Sequence, residues 1–257
     1  MSAQPDTSDT HILVSREGAI QIARFNRPDK KNAITRAMYA DLTRALGDGE
    51  ADEAVRCHVI LGQPGAFTAG NDLADFLAFA TTGEMGTEVL DLLRLLPRLK
   101  KPLVSGVDGL AIGIGTTLHM HCDLTLATER SVFKTPFVDL GLVAEAGSSL
   151  LAPAMMGHQR AFVLLAMGED FTARQAADAG LIWKIVGEEA LEAEVMATAE
   201  RLAAKPPEAL ALTKRLMKSD SGPLEARIAE EAELFADRLT SDEARAAFMA
   251  FMARKGS

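Results

Sequence analysis

The stretch Leu103–Ser149 constrains this chain most, because it joins a buried-strand pattern, a glycine-bracketed turn and a lone acid. The apolar run Leu103–Val107 ends in Asp108-Gly109, and Gly113 and Gly115 then bracket Ile114 ahead of Thr116–Cys122, whose pattern predicts a helix. Glycines at such a junction let one backbone approach another closely. The first amides of a helix are unpaired donors at the positive end of its dipole, so the turn offers a seat for developing negative charge without a charged side chain. Glu145, further along the same stretch, is a carboxylate able to create such a charge by removing a proton.

Around this stretch the chain alternates strand and helix patterns. Ile12–Ser15 and Ala19–Phe25 flank Arg16-Glu17-Gly18 as a β-hairpin does, Thr35 is placed to cap a helix through Leu46, and Val59–Leu61 reads as a short buried strand ending in the Gly62–Gly65 turn. A leucine-rich helix is expected over Glu84–Leu96, followed by strands at Leu103–Val107 and Leu124–Ala127. From Ser148 helical periodicity dominates, with a Thr172-x-x-Gln175 capping box and one strand-like exception at Leu181–Val186. Glu188–Lys205, Glu208–Lys218 and Leu224–Arg254 read as three helices, the last long and amphipathic. The expected organisation is a loose tail over residues 1–10, an α/β core over 11–195 and a helical region over 196–257.

A chain of 257 residues with 48% hydrophobic content has enough apolar material for a sizeable core. The net charge of −9 and the lack of a Lys/Arg block argue against a nucleic-acid partner. Cys57 and Cys122 stand in apolar segments without metal-ligand spacing, which points to buried thiols in a reduced compartment. Met1–Thr10 carries neither an apolar signal core nor an Arg-rich amphipathic pattern, and no apolar run reaches the roughly 20 residues that span a bilayer. The expectation is a cytoplasmic protein with no membrane partner. His119, His121 and Cys122 lie close in sequence, but residues two apart on a helix face different ways, so no metal is expected.

Four patterns in order make the chain resemble the enoyl-CoA hydratase/isomerase, or crotonase, superfamily over nearly its whole length. They are Asn26-Arg-Pro-x-Lys-Lys-Asn-Ala-Ile34, Gly65-Ala-Phe-Thr-Ala-Gly-Asn-Asp-Leu73, Asp108-Gly-x-Ala-x-Gly-x-Gly115 with Cys122-Asp123, and Phe171-Thr-Ala-x-x-Ala-x-x-x-Gly-Leu181. The resemblance implies a spiral of repeated ββα units with a C-terminal helical extension for oligomerisation and active-site cover, assembled as a homotrimer or hexamer. It implies an acyl-CoA thioester as substrate, with no separate cofactor because coenzyme A is part of that substrate. It also implies an oxyanion hole formed by the backbone amides of Asn71 and Ile114, which grips the thioester carbonyl while an enolate forms.

The acids decide the branch. Family hydratases carry one glutamate at the position of Thr117 and another at that of Phe137, and this chain has neither, which leaves water without a base. The run Thr135-Pro-Phe-x-x-Leu-Gly-Leu-Val-Ala-Glu-Ala-Gly-Ser-Ser149 and the Gly70-Asn-Asp-Leu73 form of the earlier motif instead resemble the monofunctional 3-enoyl to 2-enoyl isomerases, whose single base falls at Glu145. From the residues alone, capping of the helix that begins near Ser148 is an equal reading of Glu145; the resemblance favours catalysis. An apolar surround of Leu142, Val143 and Phe137 is expected to raise its pKa.

By the same resemblance Arg27, Lys30 and Lys31, with Arg24, lie along the nucleotide phosphates. Ala69, Asp72, Leu73 and Phe137 are the other substrate-binding residues the resemblance implies, although from the residues alone a polar rim or loop is the plainer reading of Asp72. Phe248 matches an aromatic that reaches the site from a neighbouring subunit, whereas Phe251 stands where a lysine is expected and Arg254 or Lys255 is only a loose substitute. Hydration of a 2-enoyl-CoA, or another acyl-CoA conversion on the same scaffold, is the alternative activity. A non-catalytic acyl-CoA-binding subunit is the alternative of a different class.

Overall fold

Each inner turn of the chain contributes two strands in quick succession, a longer one to a first sheet and a three-residue one to a second. The computed structural model describes residues 10–72, 74–75, 86–218 and 222–255, with the side chains of 251, 252, 254 and 255 left aside. A hairpin of β1 (Ile12–Glu17) and β2 (Ile20–Phe25) leads into helix α1 (Arg36–Ala51), which Thr35 caps by accepting the Met38 N–H. The paired strands follow: β3 (Cys57–Leu61) with β4 (Ala66–Thr68), then, after helix α2 (Glu88–Leu95), β5 (Leu103–Val107) with β6 (Leu110–Ile112). After the single-turn helix α3 (Ile114–Thr117) come β7 (Leu124–Thr128) and β8 (Val132–Lys134). Helices α4 (Ser148–Met156) and α5 (His158–Leu165), strand β9 (Phe171–Thr172), helix α6 (Ala173–Asp178) and strand β10 (Lys184–Val186) complete the spiral.

The first sheet has the order β1-β2-β3-β5-β7-β10 and is parallel apart from the β1–β2 hairpin. The second, β4-β6-β8-β9, is parallel apart from its last pair. This is the expected spiral of ββα units. The second sheet is where the structure goes beyond the sequence reading, because three-residue strands show no periodicity of their own and owe their conformation to ladder partners.

Helix α7 (Leu191–Ala203) packs Leu191, Val195 and Ala199 against Val59, Leu61, Val104 and Leu126 of the first sheet. The expected division at residue 195 therefore falls inside a helix that belongs with the sheet. The main core, on the other side, gathers Phe25, Met38, Tyr39, Phe67, Leu92, Ile114, Phe133 and Phe137 with residues of the C-terminal helices. Helices α8 (Pro207–Lys218), α9 (Gly222–Leu239) and α10 (Asp242–Lys255) follow. The single long helix expected over Leu224–Arg254 is thus two. The amphipathic pattern runs on past Thr240 and Ser241, but their amides bond back to Asp237 and Arg238, and the Ser241 hydroxyl takes the Ala244 N–H. The helix expected over Thr116–Cys122 is likewise shorter, a turn of α-helix running into a 3-10 turn at Leu118–Met120. Among the described residues no helix is long and apolar enough to cross a membrane.

Candidate active site

The Asn26–Ile34 motif is wound tightly, with Lys31 and Asn32 in the left-handed region at φ 49° and 56°. Asn32 is fully buried; its amide group donates to the carbonyls of Ala66 (2.9 Å) and Phe67 (3.2 Å), and its own carbonyl accepts from Thr68 Oγ1 at 2.6 Å. The motif then bridges to Asn71 in parallel: Ile34 N–H donates to the Gly70 carbonyl at 2.8 Å and Asp72 N–H to the Ile34 carbonyl at 2.9 Å. Alternation of peptide groups along an extended chain turns the Asn71 N–H to the other side. Gly70 lets this segment meet β6, since a Cβ at its φ of +89° would stand 2.9 Å from the Ile112 carbonyl oxygen.

Ile114 opens helix α3, where its N–H has no intrahelical acceptor. Gly113 ahead of it has φ 59° and ψ −120°, a conformation essentially confined to glycine, and donates to the Lys134 carbonyl at 2.8 Å. Thr116 locks the same corner by bonding the carbonyls of Ala111 (2.5 Å) and Lys134 (3.2 Å). Both expected oxyanion donors are thus fixed by backbone contacts, and among the described residues neither amide has an intrachain acceptor.

Glu145 is 5% exposed and its Oε1 has no hydrogen-bond partner among the described residues. Burial, and after it the charge of Glu231, raise its pKa from 4.5 to about 8, with the Asn71 side chain pulling the other way. Asn71 is oriented by Tyr39, a fully buried phenol that donates to Asn71 Oδ1 and so turns the amide NH2 the other way. Burial, followed by the Glu145 charge, pushes the Tyr39 hydroxyl well above its usual range and keeps it a neutral donor. Asn71 therefore matters through its side chain as well as through its backbone.

The turn after Glu145 is strained, with Ala146 at φ 63°. His121 holds it in place, with Nε2 2.7 Å from the Ala146 carbonyl. Burial lowers the His121 pKa to about 4, so the ring is neutral and Nε2–H is the donor. His119 is likewise buried and neutral, lowered to about 3 by burial, with Nδ1 3.0 Å from Ser105 Oγ. Glu145 does not cap helix α4. Glu231 does, accepting the N–H groups of Gly147 at 2.5 Å and Ser149 at 3.0 Å.

A cavity of about 950 Å³ runs past this corner, lined by Lys30, Lys31, Ala69, Asn71, Asp72, Phe137, Phe235 and the C-terminal Ala247 and Ala250. Glu145 and Ile114 are not among the residues that line it. Phe137 packs edge-on against Phe235 with ring centres 6.5 Å apart, and Thr117 is fully buried with Oγ1 3.5 Å from the Gly113 carbonyl.

The expected phosphate cations divide. Lys30 and Lys31 border the cavity, but Arg27 is bound to Asp72 and to the Ala33 carbonyl, and Arg24 pairs with Glu192 at 2.5 Å. Burial disfavours the charged form of Asp72, yet the Arg27 bond outweighs it and holds this carboxyl below its usual range. Arg27 and Asp72 therefore clasp two loops together, both of these guanidinium bonds leaving from Nη1. Phe248 is 8% exposed and packs into its own chain's core. Leu73 lies outside the described residues, as do the side chains of Phe251, Arg254 and Lys255.

A buried carboxylate next to the Asn71 side chain, in a spiral that leaves the Asn71 and Ile114 amides unpaired among the described residues, suits chemistry on a carbon next to a carbonyl. The chain belongs to the enoyl-CoA hydratase/isomerase family, whose model matches residues 15–256. It is 37% identical over 250 residues to the enoyl-CoA delta isomerase 2 of Rattus norvegicus, covering 95% of this chain and 64% of that protein, so it spans less than two thirds of that relative's length. It is 33% identical to the 1,2-epoxyphenylacetyl-CoA isomerase of Escherichia coli, over 81% of this chain and 82% of that one. The crystal structure of an enoyl-CoA hydratase/isomerase from Pseudoalteromonas atlantica matches with a TM-score of 0.90 at 34% identity, over 95% of this chain and 98% of that one.

Proposed function

We propose that this chain converts 3-enoyl-CoA to 2-enoyl-CoA by a single-base 1,3-proton transfer, in fatty acid oxidation, as a cytoplasmic homotrimer or hexamer. One observation carries the reading: Glu145, buried at the Asn71 side chain, is poised to ionise near neutral pH, while Thr117 and Phe137 occupy the places where a hydratase needs its acids. The carboxylate takes a proton from C2, holds it while the amides of Asn71 and Ile114 stabilise the dienolate oxygen, and returns it to C4. The substrate C–H bond at C2 breaks, the double bond moves to C2–C3, and the base ends as it began. Each oxyanion donor contributes on the order of 3 kcal/mol to lowering the barrier. A base with a pKa near the working pH is strong enough to abstract the proton and still partly ionised.

The test is the Glu145→Gln variant with 3-hexenoyl-CoA. Isomerisation should be lost with acyl-CoA binding intact, and full activity would sink the proposal. The similarity to 1,2-epoxyphenylacetyl-CoA isomerase favours a second reading, a different isomerisation of an acyl-CoA on the same scaffold. A substrate panel with product identification separates the two, and hydration of crotonyl-CoA at a matching rate would point to a hydratase.

A further inference from the structure

Glu231 stands on helix α9, far from Glu145 in sequence, and is 4% exposed. Its two oxygens take the N–H groups of Gly147 and Ser149, which lie just past the turn that presents Glu145. We propose that Glu231 is a positioning residue for Glu145, fixing the turn that carries it and acting as the buried anion that sets how strongly Glu145 holds its proton. This rests on the reading of Glu145 as the shuttle base.

Two carboxyl groups sharing one buried region do not ionise independently, and their surroundings decide the order. Glu231 has the N–H groups at the start of helix α4, with the positive end of that helix dipole, and the neighbouring cation Arg227, which also donates from Nη1 to Ser149 Oγ at 3.1 Å. Arg227 shares its charge with Glu230, 3.0 Å from its Nε. Burial raises the Glu231 pKa, and these donors and Arg227 oppose the rise.

Glu145 has one opposing influence, the Asn71 side chain. The first proton therefore leaves Glu231, and the second, from Glu145, must leave against an existing negative charge. Tyr39 from helix α1, Asn71 from the loop after β4, His121 from the 3-10 turn and the buried Ser148 hydroxyl also bear on Glu145 or its turn and are uncharged at neutral pH, while the Lys218 cation reaches this side only through the His121 carbonyl, 2.9 Å from its Nζ. Asp75 bears on this corner only through Tyr39.

The experiment is the pH dependence of kcat and KM for 3-hexenoyl-CoA isomerisation in wild type, E231Q, E231D, R227Q and E145Q. In E231Q the acid limb of kcat should move to lower pH by about one unit as the neighbouring charge is lost. Its plateau should fall a few-fold because the base is weaker, with KM unchanged. E231D keeps the charge and should keep the limb in place. R227Q removes the cation that favours the Glu231 anion, so Glu231 keeps its proton to higher pH and the limb should move to lower pH, in the same direction as in E231Q; Arg227 is partly exposed, so this variant does not depend on tolerating a change in the core.

A Glu231 that only braces the helix would lower kcat at every pH with the limb fixed, and that result in E231Q overturns the inference. If E231Q does not fold, an unmoved limb in R227Q overturns it instead. An active E145Q removes the underlying reading of the base, whereas an inactive E145Q with unmoved limbs in the other variants refutes the role of Glu231 alone.

Discussion

Replacing Glu145 by Gln should make the protein inactive and, at alkaline pH, more stable. The unfolded carboxyl titrates at its ordinary 4.5 and the native one at about 8, so between those values the native state holds a proton that the unfolded chain has lost. Stability rises with pH where the unfolded state binds more protons; here it binds fewer, and stability falls as pH rises through this window. At about 1.36 kcal/mol per pKa unit, integration from pH 5 to pH 8 gives a loss of about 3.5 kcal/mol that glutamine, which does not titrate, escapes.

For a chain of 257 residues, a difference of that size widens the gap in Tm between variant and wild type by on the order of 10 °C over the same interval. The assay is thermal or urea denaturation of both proteins at pH 5, 6, 7 and 8, compared as a difference so that other titrating groups largely cancel. A gap that stays constant with pH would mean that Glu145 ionises in the native state much as it does in water, and the argument for a buried, proton-holding base would fall with it.

Three further outcomes are expected. Gly70→Ala places a Cβ 2.9 Å from the Ile112 carbonyl at a φ of +89°, costing about 1–2 kcal/mol in strain alone and displacing Asn71; kcat should fall at least about tenfold with little change in acyl-CoA affinity, and steady-state kinetics at wild-type rate would contradict this. Tyr39→Phe leaves the Asn71 amide oxygen without its donor, so denaturation should show a loss of about 1–3 kcal/mol and kinetics a drop in kcat larger than the change in KM. Changing Lys30 and Lys31 together to Gln should raise KM several-fold at low salt, with the difference shrinking as ionic strength is raised; a salt-independent effect would place the phosphates elsewhere.

Local features were legible in the sequence because their causes are local. Thr35 caps helix α1, and Thr172 with Gln175 forms the reciprocal capping box that their spacing implied. The apolar run Leu103–Val107 is a fully buried strand. What stayed hidden depends on partners distant in the chain. Strands β4, β6 and β8 exist because neighbours complete their ladders, and the break at Thr240 and Ser241 interrupts an amphipathic pattern that continues on both sides. Asn32 lay inside a recognised motif, but its role as a three-way backbone clamp appears only in the folded chain. Glu231 did leave a trace, since Ile228, Glu231, Phe235 and Leu239 share one buried stripe of helix α9 and an acid there has no solvent to explain it. The pairing of Arg27 with Asp72 stayed hidden because the two residues belong to different motifs.

The two halves of this corner are held by different means. The half proposed to grip the carbonyl rests on main-chain contacts: the Ile34–Asn71 bridge, the approach of Gly70 to Ile112 and the Gly113 bond to Lys134. The half proposed to move the proton rests on side chains drawn from elements distant in sequence, namely Tyr39, His121 and Glu231. Main-chain geometry survives most point mutations, while a side-chain brace is lost with one. A lineage built this way can exchange its acid–base groups and acquire a new reaction while keeping its grip on the thioester, so the chemistry is the replaceable part of the architecture and the anion seat is the heirloom.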